Sequence, residues 1–396
     1  MKHRNLLILC LVACVAGCSP APKYDRPEAP VSAQWPRGES YQDAVTSPDA
    51  PQAEALPWRE FLADEKLRGL VEIALKNNRD LRLAALNVER ARALYGIQRD
   101  ERLPTVDATA AGVRQRVPGD LSSTGKRQTV EQYSDDLGVF SWELDFFGRI
   151  RSLKDRALQE YLATDQARRS AQILLVSSVA NAYLALAADR ESLALAQTTL
   201  DAQQGSYDLI KHRYDRGVAP ELDLYRVQTQ VDAARGDVAL FTQVAAQDEN
   251  ALNLLLGRTA PAELLPARWN EVTAPTEVSP GISSEVLLAR PDVLQAEALL
   301  KAAYADIGAA RASLFPRISL TAAVGTASDE LSGLFESGSG TWSYAPQASM
   351  PLFDTRAWLA LKVTKVQREI AVTQYEQAIQ SAFREVADVL AVYGTV

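Results

Sequence analysis

The segment from Ala289 to Gly325 reads ARPDVLQAEALLKAAYADIGAARASLFPRISLTAAVG. It predicts a helix from Asp292 to Leu314, because Pro316 cannot continue a helix. After the proline, apolar residues alternate with small or polar ones, at Ile318, Leu320, Ala322 and Val324. A period of two predicts a strand with one apolar face and one polar face.

A second strand is expected after a loop rich in glycine and serine, Ser332–Gly340. Its apolar positions again alternate with polar ones, at Trp342, Tyr344, Pro346, Ala348 and Met350. Each strand is about 10 residues long, the length that crosses a bilayer when a strand is tilted. A half-buried hairpin of a soluble domain shows the same pattern, so both interpretations stand at this point.

The first half of the chain repeats this order of elements, since residues from Asp80 onward match residues from Asp292 onward. The identities include Gly96/Gly308, Arg99/Arg311, Pro104/Pro316 and Thr109-Ala110-Ala111/Thr321-Ala322-Ala323. We therefore expect an internal structural repeat. Its first copy contains a helix over 80–102, strands over 105–113 and 133–144, and an apolar strand face with Phe140, Trp142 and Leu144.

Two long helices follow the first hairpin. From Arg149 to Arg216 there is no proline and only one glycine, which allows a helix of about 100 Å. Apolar residues recur every seventh position, at Val179, Leu186, Leu193, Leu200, Tyr207 and Tyr214, as in coiled coils. The helix is expected to turn at residues 217–220, and a return helix with the same pattern ends at Gly257.

The chain begins like a lipoprotein precursor. The apolar run Leu6–Ala16 is too short to span a bilayer and has the proportions of a signal peptide. It ends in Val15-Ala16-Gly17-Cys18, which resembles a bacterial lipobox, and Ser19 resembles the outer membrane sorting pattern. The alternative is an ordinary secretory signal with a chance cysteine. Eight of the 19 prolines lie within 19–57, so this stretch should be an extended tether.

Composition narrows the chemistry. The chain has 396 residues, a net charge of −8 and two histidines, His3 and His212. Its three cysteines all lie within the first 18 residues. The acidic balance argues against nucleic acid as a partner. The scarcity of Cys and His argues against disulfides, zinc sites and most nucleophilic catalysis. Catalysis would have to rest on carboxylates alone, and we expect no metal site and no cofactor.

Four amphipathic strands cannot close a sheet by themselves. In lipid, an open edge leaves backbone groups unsatisfied at several kcal/mol each. The smallest single-chain barrels have about eight strands. If these strands lie in a membrane, several copies of the chain must therefore share one barrel.

Three segments together resemble the TolC-like outer membrane factors of tripartite efflux pumps, in particular the NodT family of efflux lipoproteins: residues 289–325, SWELDFFGRIRS at 141–152 and RYDRGVAPELDLYRVQTQ at 213–230. The resemblance implies a mainly α fold with a β-barrel portion. Three copies would form a twelve-stranded barrel in the outer membrane, continued by a periplasmic helical barrel. It also implies a passive conduit for drugs, solvents or metal ions, a periplasmic adaptor and an inner-membrane transporter of the resistance-nodulation-division type.

The resemblance assigns roles to particular positions. Cys18 would carry the lipid. The helix turn would contact the adaptor through Arg213, Gly217, Val218, Ala219 and Leu222, although Pro220 departs from the small polar residue of many relatives and a plain helix turn is the alternative. Candidates for aromatic girdles at the membrane interfaces are Phe140, Trp142, Phe146, Phe147, Phe315, Trp342 and Tyr344. Packing at the helix–strand junctions is the alternative for each of them.

Two acids interrupt the heptads of the long helices. Asp189 and Asp248 lie almost equally far from Val218 along the chain, so the antiparallel helices should bring them to the same height. In a threefold assembly they would form a carboxylate belt that attracts cations. The alternative is a pair of solvated acids, and His212 near the turn is expected to be an ordinary surface histidine.

The expected domains are a signal peptide over 1–17, a lipidated tether over 18–57, a first repeat over 58–256 with its hairpin at about 104–145, a linker over 257–290, and a second repeat over 291–396 with its hairpin at about 316–352. A second repeat as long as the first would extend about 70 residues past Val396. We therefore expect an incomplete second repeat and assign no gate residues.

Three other functions stay open from the sequence. A channel for type I protein secretion would share the architecture, although the lipobox and the RPDV segment favour efflux. A coiled-coil structural lipoprotein would explain the heptads but not the two amphipathic hairpins. A carboxylate-based hydrolase would need two convergent acids, whereas the acids here are scattered along helices.

Overall fold

The computed structural model describes residues 20–41, 56–276, 278 and 283–395. This part of the chain is mainly helical and contains one four-stranded antiparallel sheet. The signal segment and Cys18 with Ser19 lie outside the described residues, so the statements about them stay predictions.

In the part of the chain that the structure describes, three α-helices precede the sheet: α1 (Trp58–Phe61), α2 (Glu65–Asn77) and α3 (Arg79–Asp100). The Asp64 carboxylate accepts a hydrogen bond from the Leu67 amide at 2.9 Å and caps α2. Asn78 ends α2, and its side chain accepts from the Leu81 amide in the first turn of α3. The predicted helix over 80–102 is confirmed as α3, but the sequence pattern does not indicate the separate helix α2.

The first hairpin consists of β1 (Val106–Val117) and β2 (Gln128–Leu144). Its strands are longer than predicted, because backbone pairing continues from Val113↔Gln132 to Val117↔Gln128. The residues of this outer end are mostly polar, so the apolar alternation stops before the pairing does.

The two long helices are confirmed as α4 (Arg149–Asp215) and α5 (Glu221–Leu256). Between them Gly217 has a φ of +74°, a left-handed conformation that glycine adopts without strain. Its amide donates to the Tyr214 carbonyl at 2.8 Å, which closes the last turn of α4. Gly257 ends α5 with a φ of +67°, and a Cβ there would lie 2.5 Å from the Asn77 carbonyl oxygen.

The second half contains α6 (Pro291–Ala312), β3 (Arg317–Ser328), β4 (Gly340–Ser349) and α7 (Thr355–Tyr393). These elements confirm the helix, proline, strand and loop predicted from the opening segment. The described residues of the preceding linker include three short 3₁₀ helices, at Ala262–Leu264, Trp269–Glu271 and Ser284–Ala289. The order helix, strand, strand, helix thus occurs in both halves, whereas their duplication stays a prediction.

The chain folds as two compact units, each with its own buried core. The unit that contains the sheet buries Ile150, Leu300, Ile307 and Tyr375. The other unit, which contains α2 and α5, buries Leu70, Val71, Tyr183, Leu186 and Leu252 completely.

The proline-rich N-terminal segment contains neither helix nor strand over residues 20–38, has bends at several positions, and ends in a 3₁₀ turn at Glu39–Tyr41. This segment packs against the helices. The Tyr24 hydroxyl and the Arg26 guanidinium both donate to the buried Glu297 carboxylate of α6. The sequence pattern does not indicate these contacts.

Candidate functional site

One face of the sheet is apolar across three neighbouring strands. Residues that pair directly across an antiparallel sheet lie on the same face. The pairing therefore aligns Leu137, Val139, Trp142 and Leu144 of β2 with Ile318, Leu320, Ala322 and Val324 of β3, and these with Trp342, Tyr344, Pro346 and Ala348 of β4. The face is uncovered: Trp342 is 80% exposed and Val324 is 62% exposed. An exposed apolar patch of this kind indicates a lipid or protein contact.

The opposite face of the same strands carries small and polar residues. On β3 and β4 it includes Ser319, Thr321, Ala323, Gln347, Ser343 and Thr341. The apolar band runs over about seven residues per strand, or about 20 Å along the strand. The sheet thus has the two faces that a strand needs between lipid and water.

One part of the predicted apolar face is wrong. A β-bulge separates the pairs Val139↔Ala322 and Trp142↔Leu320, so Phe140 and Ser141 together oppose Thr321. Ser141 has a φ of +54°, and its amide donates to the Thr321 hydroxyl. The extra residue takes Phe140 out of alternation with Trp142 and Leu144, and Val139 occupies the expected place. Phe140 is therefore not supported as a girdle residue on that face.

Trp142 of β2 lies on the apolar face, opposite Leu320, and four of the other aromatic candidates divide into two groups. Trp342 and Tyr344 lie on the apolar face of β4 and are exposed, as a girdle requires. Phe147 and Phe315 instead stack on each other at the base of the strands, with ring centroids 5.1 Å apart. The second pair has the contact expected for packing at a helix–strand junction.

The same junction contains an ion-pair network that the sequence pattern does not reveal. Arg149 donates to both carboxylate oxygens of Glu143 at 2.8 Å, and Arg317 contacts the same carboxylate. The Asp145 carboxylate accepts from the amides of Ile150 and Arg151 and caps the start of α4. These contacts connect the ends of β2 and β3 to the first turn of α4.

The edges of the sheet are open. The strand order is β1-β2-β3-β4, and within the described residues no further strand pairs with β1 or β4. Nearly all residues of β1 and all residues of β4 are exposed. Such edges are not viable in lipid unless another strand pairs with them.

The turn between α4 and α5 is an exposed tip with apolar side chains. Val218 is 64% exposed, and its amide donates to the Arg213 carbonyl at 2.9 Å. Leu222, in the first turn of α5, is also exposed, whereas Ala219 is half-buried. The predicted tip residues thus lie together around Gly217, and His212 is exposed beside them.

The structure brings Asp189 and Asp248 together, as equal distance from the turn predicts. Burial raises the pKa of Asp248, and a hydrogen bond to the Asp189 carboxyl and the charge of that carboxyl raise it further. None of the ion pairs in the described part of the chain includes either acid. The nearby Arg190 donates instead to Glu249 at 3.1 Å and to the Pro266 carbonyl at 2.7 Å.

The part of the chain that the structure describes offers no candidate metal site. Among residues 20–41, 56–276 and 283–395, no group of three or more Cys, His, Asp or Glu side chains has an arrangement that could hold a metal ion. The described site is therefore made of surfaces: an amphipathic sheet, two open edges and an exposed helical tip. This combination defines the class of outer membrane channel proteins.

Comparison with known proteins identifies the family. The family model described as outer membrane efflux protein matches residues 70–258 and 282–395, so the chain belongs to this family. The chain is 47% identical to the toluene efflux pump outer membrane protein TtgI of Pseudomonas putida over its whole length, and covers 84% of that protein. It is 46% identical to the antibiotic efflux pump outer membrane protein ArpC of Pseudomonas putida, with 98% of this chain and 80% of that protein covered.

A solved structure confirms the fold. The open state of the MtrE outer membrane channel of Neisseria gonorrhoeae matches with a TM-score of 0.83 and 36% identity, covering 95% of this chain and 82% of that chain. The predicted family, the mainly helical fold with a four-stranded sheet, the outer membrane location and the role as an efflux pump component are thereby confirmed.

Proposed function

We propose that three copies of this chain form a passive conduit that carries small molecules across the outer membrane, and that the conduit catalyses no reaction and uses no cofactor. The observation that carries this proposal is the amphipathic sheet with both edges open. Each copy contributes four strands, too few to close alone. In the meander β4 runs antiparallel to β1, so β4 of one copy can pair with β1 of the next copy and continue the same pattern.

Apolar helix faces support the same assembly. α3 leads into β1 and exposes Leu83, Leu86, Leu94 and Ile97. α7 follows β4 and exposes Trp358, Leu359, Val363, Val366 and Ile370. When β4 pairs with β1 of the next copy, these two helices are brought side by side. α4 also contains an 18-residue window apolar enough to cross a membrane, with most of it uncovered in one chain, which suits packing against sister helices.

We infer the partners from the exposed tip between α4 and α5 and from the similar efflux proteins. We assign Arg213, Gly217, Val218, Ala219 and Leu222 to the contact with a periplasmic adaptor, because a glycine turn flanked by exposed apolar residues allows close backbone approach. An inner-membrane transporter of the resistance-nodulation-division type would supply the energy. Because relatives are named for toluene and antibiotic efflux, the cargo is proposed to be drugs, solvents or metal ions.

The N-terminal segment completes the proposal. Removal of residues 1–17 would leave Cys18 as the first residue, where it would carry the acyl chain. Asp189 and Asp248 are proposed to face the lumen, where three copies of the pair would favour cations over anions.

Conductance across a planar lipid bilayer tests the conduit. Two neighbouring positions on β3 give a matched pair: Ala322→Arg places a charge within the apolar band, and Ala323→Arg places the same charge on the polar face. An arginine facing the bilayer midplane costs about 2–4 kcal/mol. We expect channels from the natural protein and from Ala323→Arg, and severely reduced insertion of Ala322→Arg. Equal insertion of both variants, or no conductance from the natural protein, would overturn the proposal.

The adaptor contact is tested separately at the tip. Val218→Asp should reduce efflux in cells that contain the adaptor and transporter, while single-channel conductance stays unchanged. Thr229→Asp, an exposed position farther along α5, is the control and should leave efflux unchanged. Unchanged efflux in Val218→Asp would remove the tip from the adaptor contact without affecting the conduit.

A further inference from the structure

The first hairpin extends past the four-stranded part of the sheet. β3 ends at Ser328, whereas β1 and β2 continue to pair with each other as far as Val117↔Gln128. We call residues 113–117 and 128–132 the outer ribbon. The helices α3, α4, α6 and α7 all join the strands at the opposite end. Because the helices of this family extend into the periplasm, the outer ribbon lies on the side of the membrane that faces the outside of the cell.

The apolar face of the sheet becomes cationic along β1. Val106 pairs with Val139 on the apolar face, and the register of β1 with β2 runs without interruption to the end of β1. Since every second side chain of a strand shares a face, Arg114 and Arg116 lie on the same face as Val106. They are about 27 Å and about 34 Å along the strand from it. The apolar side chains of the outer ribbon lie on the opposite face.

Tyr133 lies between the apolar and the cationic parts of this face. Its ring lies over Gly112, where a Cβ would be 3.3 Å from the ring carbons. Its hydroxyl donates to Glu131 Oε2 at 3.1 Å, and Arg114 Nε contacts Glu131 Oε1 at 2.9 Å. These contacts agree with the strand register in placing Tyr133, Glu131 and Arg114 on one face. A tyrosine beyond an apolar band is typical of a membrane interface.

The outer ribbon and its loop form a basic surface in an acidic protein. Residues 113–131 include four basic residues and two acids, which are Arg114, Arg116, Lys126 and Arg127, and Asp120 and Glu131. All four basic residues are exposed, and the Arg114 side chain is 74% exposed in spite of its contact with Glu131. No ion pair among the described residues includes Arg116. The tip of the second hairpin, residues 329–339, differs, since it has three acids and no basic residue.

We propose that the outward face of the outer ribbon binds the phosphorylated inner sugars of lipopolysaccharide, the glycolipid of the outer leaflet. Arg114 and Arg116 are the principal contacts, and Lys126 and Arg127 add to the positive potential. Guanidinium groups bind phosphate through paired, charge-assisted hydrogen bonds. The inference rests on the proposed function, because the conduit requires the apolar face to meet lipid, and the arginines continue that face beyond the hydrocarbon.

The alternative partner is the acidic second tip of a neighbouring copy. In a closed barrel the strands of adjacent copies meet edge to edge, so side chains on the outward face point away from the barrel wall and not towards the next strand. Arg114 and Arg116 lie on that outward face. Their placement therefore favours the glycolipid over the neighbouring tip.

Binding of fluorescently labelled lipopolysaccharide to the purified, detergent-solubilised protein tests the proposal. R114Q/R116Q should bind about thirtyfold more weakly, and R116Q alone about fivefold more weakly. E131Q should bind about fivefold more tightly, because Arg114 then no longer shares its charge with an acid. Unchanged binding by R114Q/R116Q, or weaker binding by E131Q, would overturn the proposal.

A charge moved across the strand is the matched control. R116Q/Q115R keeps the net charge but transfers it to the opposite face of β1, so it should bind as weakly as R116Q. Binding equal to that of the natural protein would show that only net charge matters and would overturn the assigned face. Chemically dephosphorylated lipopolysaccharide should bind the natural protein and R114Q/R116Q equally. Equally tight binding of phosphatidylglycerol vesicles would overturn the assignment to the glycolipid.

Conductance and oligomer size separate this inference from the proposed function. The outer ribbon lies outside the four-stranded part of the sheet, so R114Q/R116Q should still form conducting channels in a planar bilayer. A natural protein that binds lipopolysaccharide without conducting would overturn the conduit, whereas a conducting protein that does not bind would overturn this inference alone. Loss of the trimer in R114Q/R116Q, measured by light scattering, would overturn it in favour of the neighbouring acidic tip.

Discussion

Glu297 and Asp248 are two acids on helices of the same chain, and their surroundings have opposite effects. Glu297 is the more deeply buried, yet its pKa is lowered. Asp248 is only half-buried, yet its pKa is raised. The difference lies in the neighbours: Glu297 faces a phenol, a guanidinium and an ammonium, whereas Asp248 faces the carboxyl of Asp189.

The comparison shows that burial alone does not predict what an acid does. Burial disfavours the charged form at both sites, but three donors reverse the outcome at Glu297. At Asp248 the neighbouring carboxylate adds to the effect of burial. We therefore expect Glu297 to stabilise the fold at neutral pH and Asp248 to oppose it, and each of the following measurements tests this contrast.

The largest change in stability is expected when the charge of Glu297 is removed. E297Q should lower the free energy of unfolding in detergent by about 2–3 kcal/mol, because Arg26 and Lys301 lose their partner and a buried group loses its charged hydrogen bonds. Urea unfolding measures this change. The control E263Q should stay within about 0.5 kcal/mol of the natural protein. A loss for E297Q no greater than that of the control would remove the contrast.

The next largest effect is expected in a double-mutant cycle of Arg26 and Glu297. R26Q alone should cost about 1 kcal/mol, and R26Q/E297Q should cost about 1 kcal/mol less than the sum of the single changes, since both remove the same ion pair. Urea unfolding of the four proteins gives the coupling energy. Strict additivity would show that the 2.9 Å contact between Arg26 and Glu297 contributes nothing.

At Asp248, removal of the charge should change the free energy of unfolding in the opposite direction. D248N removes one of two adjacent carboxylates and should raise the free energy of unfolding by about 0.5–1 kcal/mol at neutral pH. D237N, at an exposed position on the same helix, is the matched control and should change stability by less than about 0.5 kcal/mol. Destabilisation by D248N would mean that the acid pair holds a ligand or proton that the protein needs.

The smallest effects appear in the pH dependence. The stabilisation by Glu297 is complete above its ordinary pKa of 4.5 and is lost as the pH falls through the lowered folded pKa. The penalty from Asp248 is complete above its raised folded pKa and disappears as the pH falls through that value towards the ordinary 3.8. The advantage of D248N over the natural protein should therefore vanish at a higher pH than the disadvantage of E297Q. Thermal unfolding between pH 3 and pH 7 gives both curves, and the reverse order would contradict the assigned shifts.

Local signals were enough to predict the long helices and the strands of the fold. Pro104 and Pro316 end helices, Gly217 takes the left-handed conformation of a turn, and the alternation after Pro316 becomes β3. The adjacency of Asp189 and Asp248 also followed from simple counting, because two straight antiparallel helices preserve distance from their turn.

Contacts between distant residues could not be read from the sequence. Tyr24 and Glu297 are 273 residues apart, and no spacing rule connects a proline-rich segment to one acid on a helix. The bulge at Phe140 and Ser141 could not be predicted either, because an extra residue in a strand hardly changes the composition of the segment. Helix α2 lies before the repeated segment, so the match between the two halves of the chain gave no indication of it.

The open edges of the sheet have a genetic consequence. In the proposed trimer every junction uses β4 of one copy and β1 of another, so a copy damaged at either edge disables the copies beside it. A cell that makes intact and damaged chains in equal amounts would build only about one trimer in eight from three intact copies. Alleles altered at these edges should therefore be dominant, whereas alleles that merely abolish synthesis should be recessive.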